Sequence, residues 1–430
     1  MEQIPRYTSY PTAPHFHKGV DGKTSQNLLG KLGKQDVLSL YFHIPFCRQL
    51  CWFCGCHTKI VNGNKPIEQY MELLSQEIAM QSKLSVASIV KYMHFGGGSP
   101  TVIEPNDFVK FMNVVRSNFD VLDDAEIAVE IDPRTVSKEK ILAYAKSGVN
   151  RASLGVQDFN EQVQRAINRH QSIELVKNVV VSLRDTGINE INFDLIYGLP
   201  FQSLETIKKT IDSAVKLDPN RISLFGYAHV PWMKKHQDLI PTEALPGPEL
   251  RMEMFDFAHD YLTKSGYVSI GLDHFVKPDD SLAIAQKNQE IQRNFQGYTI
   301  DKADALLGFG VSSISTLPTA YLQNSSDYRH YVTSIEEGNL PVVRGIELSD
   351  DDIKRRDIIM SIMCGIRTRV CSNEFASELK SLSPFIENGT VEYRDSFLIM
   401  NKREHHQFRK VAAKFDAYLT EGQFSFSQAV

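Results

Sequence analysis

Short apolar runs alternate with longer amphipathic stretches along most of the chain. The runs at 38–43, 92–95, 127–131, 151–156, 191–196, 222–227 and 267–272 have the length and the β-branched or aromatic content of buried strands. Between them, apolar residues recur with helical spacing at 67–82, 107–119, 138–147, 172–186 and 204–217. Strand followed by helix, over and over, predicts an α/β fold on a parallel sheet. Its length suits a full or partial (β/α) barrel of the TIM type.

Such barrels place their chemistry at the C-terminal ends of the strands. A cysteine-rich loop follows the first predicted strand, and Gly96-Gly-Gly-Ser-Pro-Thr101 follows the second. Glu130 ends the third, Gln157 ends the fourth and Asp194 lies in the fifth. That clustering supports the barrel reading without help from any motif.

The texture changes near Glu347. Ser349-Asp-Asp-Asp352 has the form of an N-cap with an acidic first turn, which predicts a helix running to Arg367. A hairpin-like stretch follows at 391–400. The expected organisation is an N-terminal arm (1–20), a barrel domain (21–345) and a mostly helical C-terminal domain (346–430).

Composition narrows the class. The chain has 430 residues, 42% apolar and 23% charged, ordinary proportions for a globular enzyme. A net charge of −5 gives no reason to expect nucleic acid or an anionic membrane as partner. No apolar run approaches the ~20 residues that span a bilayer. The start, Met-Glu-Gln-Ile-Pro-Arg, lacks the charged-then-apolar pattern of a secretory leader, so a cytoplasmic setting is expected. No long apolar stripe calls for obligate assembly, and a monomer is expected.

Four of the six cysteines, Cys47, Cys51, Cys54 and Cys56, fall within ten residues. Structural zinc sites usually draw two separated pairs, because a tetrahedron needs ligands from two directions. Here one loop holds all four, with only Gly55 between the last two. Six cysteines in a chain of this length are also too few for a disulfide framework. The spacing C-x3-C-x2-C instead lets one loop offer three thiolates to three corners of a [4Fe–4S] cube, leaving the fourth iron open to a small molecule. At this point the chain resembles the radical S-adenosylmethionine (SAM) enzymes.

Further passages sharpen the resemblance. They are Pro5-Arg-Tyr-Thr-Ser-Tyr-Pro-Thr12, Cys54-Gly-Cys56, Asp194-Leu-Ile-Tyr-Gly-Leu-Pro200, Phe225-Gly-Tyr-Ala-His229, Asp273-His-Phe275, Arg293-Asn-Phe-Gln-Gly-Tyr298 and Gly308-Phe-Gly-Val-Ser-Ser-Ile314. Together they resemble the oxygen-independent coproporphyrinogen III dehydrogenases of haem biosynthesis, from Pro5 to the segment Phe415-Asp-Ala-Tyr-Leu419. The resemblance implies oxidative decarboxylation of two propionates of coproporphyrinogen III to vinyl groups, giving protoporphyrinogen IX. It implies a 5′-deoxyadenosyl radical generated from SAM by a reduced cluster. A low-potential electron donor such as flavodoxin or ferredoxin would supply the electron.

Residue by residue, the resemblance implies Cys47, Cys51 and Cys54 as cluster ligands, with Tyr41 and His43 beside the cluster as catalytic-site residues. It implies two SAM molecules per chain. Tyr41, Gly97, Glu130 and Ile314 match contacts to the one on the cluster; Phe53, Gly98, Ser99, Gln157, Arg169, Asp194 and Ala228 match contacts to the second. Other readings stand beside these: a satisfied strand histidine and core tyrosine, a tight glycine turn, an ion-pair set at the barrel rim. Cys56 is outside the cluster triplet. It distinguishes the dehydrogenases from the related haem chaperones, and is expected to shape the second SAM site or to take part in electron or radical transfer. A haem chaperone and a radical SAM methyltransferase acting on haem are the alternative functions.

The chain departs from the family in a shorter segment before Arg6, in Ser99 where threonine is usual, and in a loose match over 403–411. Arg6 is a candidate contact for the substrate's carboxylates. His405-His406 reads as a solvated pair, and Cys364 and Cys371 read as core cysteines.

Overall fold

The computed structural model describes residues 4–419. Six parallel strands form its centre: β1 (Val37–Ile44), β2 (Ile89–Gly97), β3 (Asp120–Ile131), β4 (Arg151–Gln157), β5 (Glu190–Tyr197) and β6 (Arg221–Gly226). Helices α1 (Lys65–Leu84), α2 (Pro105–Asn118), α3 (Lys138–Lys146), α4 (Ile173–Asp185) and α5 (Leu204–Lys216) separate them. The parallel α/β core predicted from the alternation is present, and the strands follow one another in space as they do in sequence. β1 shows why: Val37-Leu-Ser-Leu-Tyr-Phe-His-Ile44 is buried on both faces, and only a parallel strand sheltered by helices tolerates so continuous an apolar run. Serine side chains cap the starts of α3, α4 and α5 (Ser137, Ser172 and Ser203), the last in a reciprocal Ser203–Thr206 box, while α1 and α2 open on a proline in the first turn.

The expected seventh strand differs from prediction. β7 (Val268–Ile270) is joined by only three residues to β8 (His274–Val276), and so short a link can connect only antiparallel strands. The pair hangs on the far edge, with β8 antiparallel to β6. The parallel partner on the other side of β1 is β9 (Ala305–Phe309). Beyond it run β10 (Ile314–Leu317), β11 (Ala320–Asn324) and β12 (Val342–Glu347), all antiparallel. Among the described residues the main sheet therefore has twelve strands in an open order, a partial barrel rather than a closed one.

Glu77 on α1 fastens this extension. Fully buried, it accepts hydrogen bonds from Gly310 N (2.8 Å), Tyr331 Oη (2.7 Å), Asn324 Nδ2 (2.7 Å) and Gln81 Nε2 (3.2 Å). Four donors favour the carboxylate, but burial outweighs them and raises its pKa from 4.5 to about 7.

A second apolar cluster gathers Ile358, Ile359, Ile362 and Met363 with Leu398, Phe408, Val411 and Phe415. Ile4, Tyr7 and Tyr10 belong to the same cluster, so the arm packs on the C-terminal region. Tyr7 Oη donates to Asp416 Oδ2 at 3.0 Å, and Ala417 N donates to Tyr10 Oη at 3.0 Å. The helix capped by Ser349 is present but ends at Met363, where Gly365 turns through φ +64°. The hairpin at 391–400 forms from Val391–Arg394 and Phe397–Met400, with Asp395 and Ser396 both at positive φ as a two-residue turn requires. Cys364 is buried as expected; Cys371 is exposed, in a turn where its carbonyl accepts from Phe375 N and the Phe375 ring, not the thiol, enters the apolar cluster. His405 stacks on His259 at 5.3 Å instead of standing in solvent with His406.

Candidate active site

Alternation along the strands builds the site. On β5, Ile191, Phe193 and Leu195 pack outward into the core, while Asn192 and Asp194 point inward. β4 sends Ala152, Leu154 and Val156 out and Arg151, Ser153, Gly155 and Gln157 in. β3 and β6 repeat the pattern with Glu126 and Glu130, and with Arg221, Ser223 and Phe225. Most barrels of this class fill their interior with branched apolar side chains. Here the inward positions are polar and surround a cavity of about 380 Å³. Its floor is held by ion pairs: Arg151 with Glu126 (3.0 Å) and Arg221 with Asp280 (2.8 Å).

The cysteine loop covers one side. It leaves β1 and is clamped mainly through its own carbonyls. Asn168 Nδ2 donates to Leu50 O (2.8 Å), Gln237 Nε2 to Phe53 O (3.0 Å), and Lys234 Nζ to Cys56 O (2.9 Å). His236 Nε2 lies 2.8 Å from Cys54 O, and Trp52 N donates to Ile167 O at 3.0 Å. So fastened, the loop presents Cys47, Cys51, Cys54 and Cys56 to the cavity. Arg134 Nη2 and Arg169 Nη1 lie 3.3 Å and 3.5 Å from Cys51 Sγ. Burial and the neighbouring cysteines push the Cys47 thiol up to about 12. Cys54 sits below the usual thiol range, chiefly because the Cys56 thiol donates to it, with the Cys56 N–H adding a bond at 3.4 Å.

Opposite the loop, the end of β2 must pass very close to its neighbours. A Cβ on Gly97 would lie 2.6 Å from the His43 ring, at φ +110°, and one on Gly98 would lie 2.6 Å from Phe46 O. Gly97 N donates to Glu130 Oε2 at 3.3 Å, and His94 Nε2 lies 3.1 Å from Glu130 Oε1. Burial alone would raise Glu130, but the His94 hydrogen bond and charge, with Gly97 N–H, hold it below the usual carboxylate range. The Glu130 side chain is still 40% exposed, because it faces the cavity. Asp194 differs: burial and the negative Glu130 lift it to about 6, against hydrogen bonds from Ser153 Oγ (2.9 Å) and Asn192 Nδ2 (2.8 Å).

Of the residues singled out from sequence, Cys47, Cys51, Phe53, Cys54, Cys56, Gly97, Gly98, Ser99, Glu130, Gln157, Arg169 and Asp194 line this one cavity. Tyr41 and His43 stand just behind it, joined at 3.1 Å between Oη and Nδ1, with Tyr41 stacked on His94. Ala228 and Ile314 do not line it. Ala228 O accepts from Gln237, which also holds Phe53, and the Ile314 backbone lies against Gly308, the β9 partner of Tyr41. Arg169 is already engaged, 3.3 Å from Asp132 and donating to Gly155 O at 2.6 Å; its Nε makes no hydrogen bond among the described residues.

Sequence reading missed His94, Asp132, Arg134, Asn192 and Ser223. For Asn192 and Ser223 the signal was available, because polar residues at every second position of an otherwise apolar strand mark a polar interior. Asp132 is the most consequential. It gathers Arg134 (2.7 Å) and Arg169 beside Cys51, and their charges hold it below the usual carboxylate range against burial. Three soft thiols of one loop facing a common cavity, with cationic donors on one sulfur, fit a thiolate-held iron–sulfur cluster.

The radical SAM superfamily model matches residues 41–214. The chain is 46% identical over 439 residues to the oxygen-independent coproporphyrinogen III oxidase of Bradyrhizobium diazoefficiens, covering 100% of this chain and 98% of that one. Against the enzyme of the same name from Escherichia coli it is 37% identical over 427 residues, 97% of this chain and 93% of the other. The solved structure of the Escherichia coli coproporphyrinogen III oxidase, described as a radical SAM enzyme, superposes with a TM-score of 0.92 at 37% identity, over 97% of this chain and 100% of that one.

Proposed function

The chain belongs to the oxygen-independent coproporphyrinogen III oxidases of the radical SAM superfamily, and from that premise we propose how its residues carry out the reaction. The activity is the anaerobic oxidation of coproporphyrinogen III in haem biosynthesis; protoporphyrinogen IX is the product once two propionates have become vinyl groups. The observation that carries this reading is the meeting of the Cys47, Cys51 and Cys54 loop with Glu130 and Asp194 in one cavity of a chain related over its whole length to these oxidases.

Cys47, Cys51 and Cys54 would hold the [4Fe–4S] cluster, with Arg134 and Arg169 offsetting the negative charge of its thiolates. Cluster and SAM together supply a single electron and a carbon radical able to take hydrogen from an unactivated position. Gly97 and Gly98 let the end of β2 pack against the His43 ring and the Phe46 carbonyl, forming the wall that would meet the SAM amino acid moiety. Glu130, kept ionised by His94 and Gly97, accepts hydrogen bonds from ribose hydroxyls or faces a positive sulfonium. Tyr41 and His43 close the site from behind, and the loop buries Cys51 while leaving Cys56 exposed.

Tyr41, Gly97, Glu130 and Ile314 would serve one SAM, and Phe53, Gly98, Ser99, Gln157, Arg169, Asp194 and Ala228 a second. Cys56, beside Cys54 yet outside the cluster triplet, would shape that second site or pass an electron. The electron would come from a protein such as flavodoxin or ferredoxin. We assign the chain to the cytoplasm as a monomer, with domain limits near residues 20 and 345. Among the described residues no helix is long and apolar enough to cross a membrane.

One anaerobic assay tests the function. Reconstituted protein, SAM, a reductant and coproporphyrinogen III should yield protoporphyrinogen and 5′-deoxyadenosine by mass spectrometry. Bound haem without SAM cleavage would mean a chaperone, and a methylated tetrapyrrole a methyltransferase; either result rejects the proposal.

A further inference from the structure

A second and larger cavity, of about 1220 Å³, adjoins the first. It exceeds the roughly 300–1,000 Å³ of ordinary small-molecule sites. Phe225 lines both cavities. Arg6, Arg251, Arg293 and Arg409 all line the larger one, between the apolar surfaces of Tyr197, Leu224 and Phe255.

These arginines are far apart in sequence and meet around a single partly buried carboxylate, Asp273, whose charge acts on Arg293 and Arg6. Among the described residues none of the four forms a salt bridge. Their bonds go to backbone carbonyls: Arg251 Nη2 to Tyr227 O (2.8 Å), Arg293 Nε to Tyr7 O (3.3 Å), Arg409 Nε to Pro5 O (3.2 Å). Arg251 Nε and Arg293 Nη1 are buried and make no hydrogen bond among the described residues. Burial, then the charges of Arg6 and Arg293, bring Arg409 down to about 10. Of the carboxylates on the same wall, Asp273 is bonded to His274 at 2.7 Å, Asp260 lies 3.8 Å from both Lys264 and His259, and the exposed Asp256 forms no salt bridge among the described residues. Arg251 and Arg409 have lost water and are repelled by the exposed Arg6, while Tyr298 and Asp273 steady Arg293. That arrangement is unfavourable until carboxylates enter, and the planar fork of arginine then grips them two bonds at a time.

We propose that this cavity receives the tetrapyrrole and that Arg6, Arg251, Arg293 and Arg409 bind its peripheral carboxylates, leaving one ring edge at Phe225 toward the cysteine-lined cavity. The proposal rests on the function given above and adds where, and through which charges, the substrate is held. It carries a consequence for turnover. The substrate has four carboxylates and the product two, so the reaction itself loosens the grip.

The test uses reconstituted holoenzyme with Arg251→Gln, Arg293→Gln and Arg293→Lys. KM for coproporphyrinogen III should rise at least tenfold in the two Gln variants and less in the Lys variant. Cluster absorbance and SAM affinity should match the parent protein. In fluorescence titrations the parent should bind coproporphyrin, with four carboxylates, more tightly than protoporphyrin, with two, and Arg251→Gln should narrow that preference. Arg293 also holds the arm, so Arg251→Gln, which does not touch it, decides if Arg293→Gln fails to fold. An active parent with unchanged KM and preference in Arg251→Gln overturns the proposal and leaves the function standing. A parent that does not turn over coproporphyrinogen III removes the function, and this inference with it.

Discussion

Asp273 and His274 are bonded at 2.7 Å between Oδ1 and Nδ1, yet Asp273 lines the large arginine-walled cavity and His274 the cysteine-lined one. The pair forms part of the partition between the two spaces. The bond fixes the imidazole's orientation, with Phe225 and Tyr298 packed edge-on against it. Asp273→Asn keeps the shape and removes the charge; because the amide can donate as well as accept, it no longer fixes which His274 nitrogen carries the proton. Turnover should fall roughly tenfold or more, as misplacement near a reacting centre does, while iron content stays at the parent level. Full turnover in Asp273→Asn would show that the partition does not depend on this bond.

The cysteines should separate into two classes. Serine at Cys47, Cys51 or Cys54 removes a soft ligand, and each variant should lose the visible absorbance and most of the iron after anaerobic reconstitution. Cys56→Ser should keep both and lose turnover. Iron retained in any of the first three, or lost in the fourth, would reassign the ligand set.

Gly97→Ala tests the close approach of β2 to β1. The added methyl would meet the His43 ring at 2.6 Å on a backbone at φ +110°. Strain of this kind costs about 1–3 kcal/mol. A lower Tm and a reduced iron-to-protein ratio are both expected, because His43 belongs to the wall behind the cluster loop. A variant as stable and as iron-rich as the parent would mean that the backbone there relaxes freely.

Glu77 gives a pH dependence remote from any cofactor. Its folded pKa of about 7 lies above the ordinary 4.5, so the native chain binds this proton more tightly than the unfolded one. The stability it contributes is complete below pH 4.5, declines as pH rises toward 7, and is level beyond. The decline is on the order of 3 kcal/mol at most. Glu77→Gln should flatten that part of the Tm–pH curve. Parallel curves for parent and variant between pH 4.5 and 7 would show that the carboxyl is not shifted.

The six central strands were legible because each is a short apolar run followed by a helical period, and the cysteine loop because three thiols at that spacing have few other uses. β9 was not. Ala305-Leu-Leu-Gly-Phe309 is brief, is broken by glycine, and takes its place beside β1 from the far end of the barrel. The β7–β8 hairpin was misread because the run at 267–272 resembles a strand of either direction; only the short link to His274 distinguishes them. His94 and Asp132 matter through partners on other strands and loops, which one-dimensional spacing does not show. The arginine wall lay furthest from view. Arg6 and Arg409 are neighbours only after the arm has crossed onto the C-terminal region.

That crossing also sets an order in time. The wall that joins residues 4–10 to residues 408–418 is absent from any nascent chain until synthesis has passed Tyr418. Ribosomal intermediates long enough to fold the central sheet would lack the basic chamber, so a growing polypeptide would not capture free porphyrins before its oxidative machinery is complete.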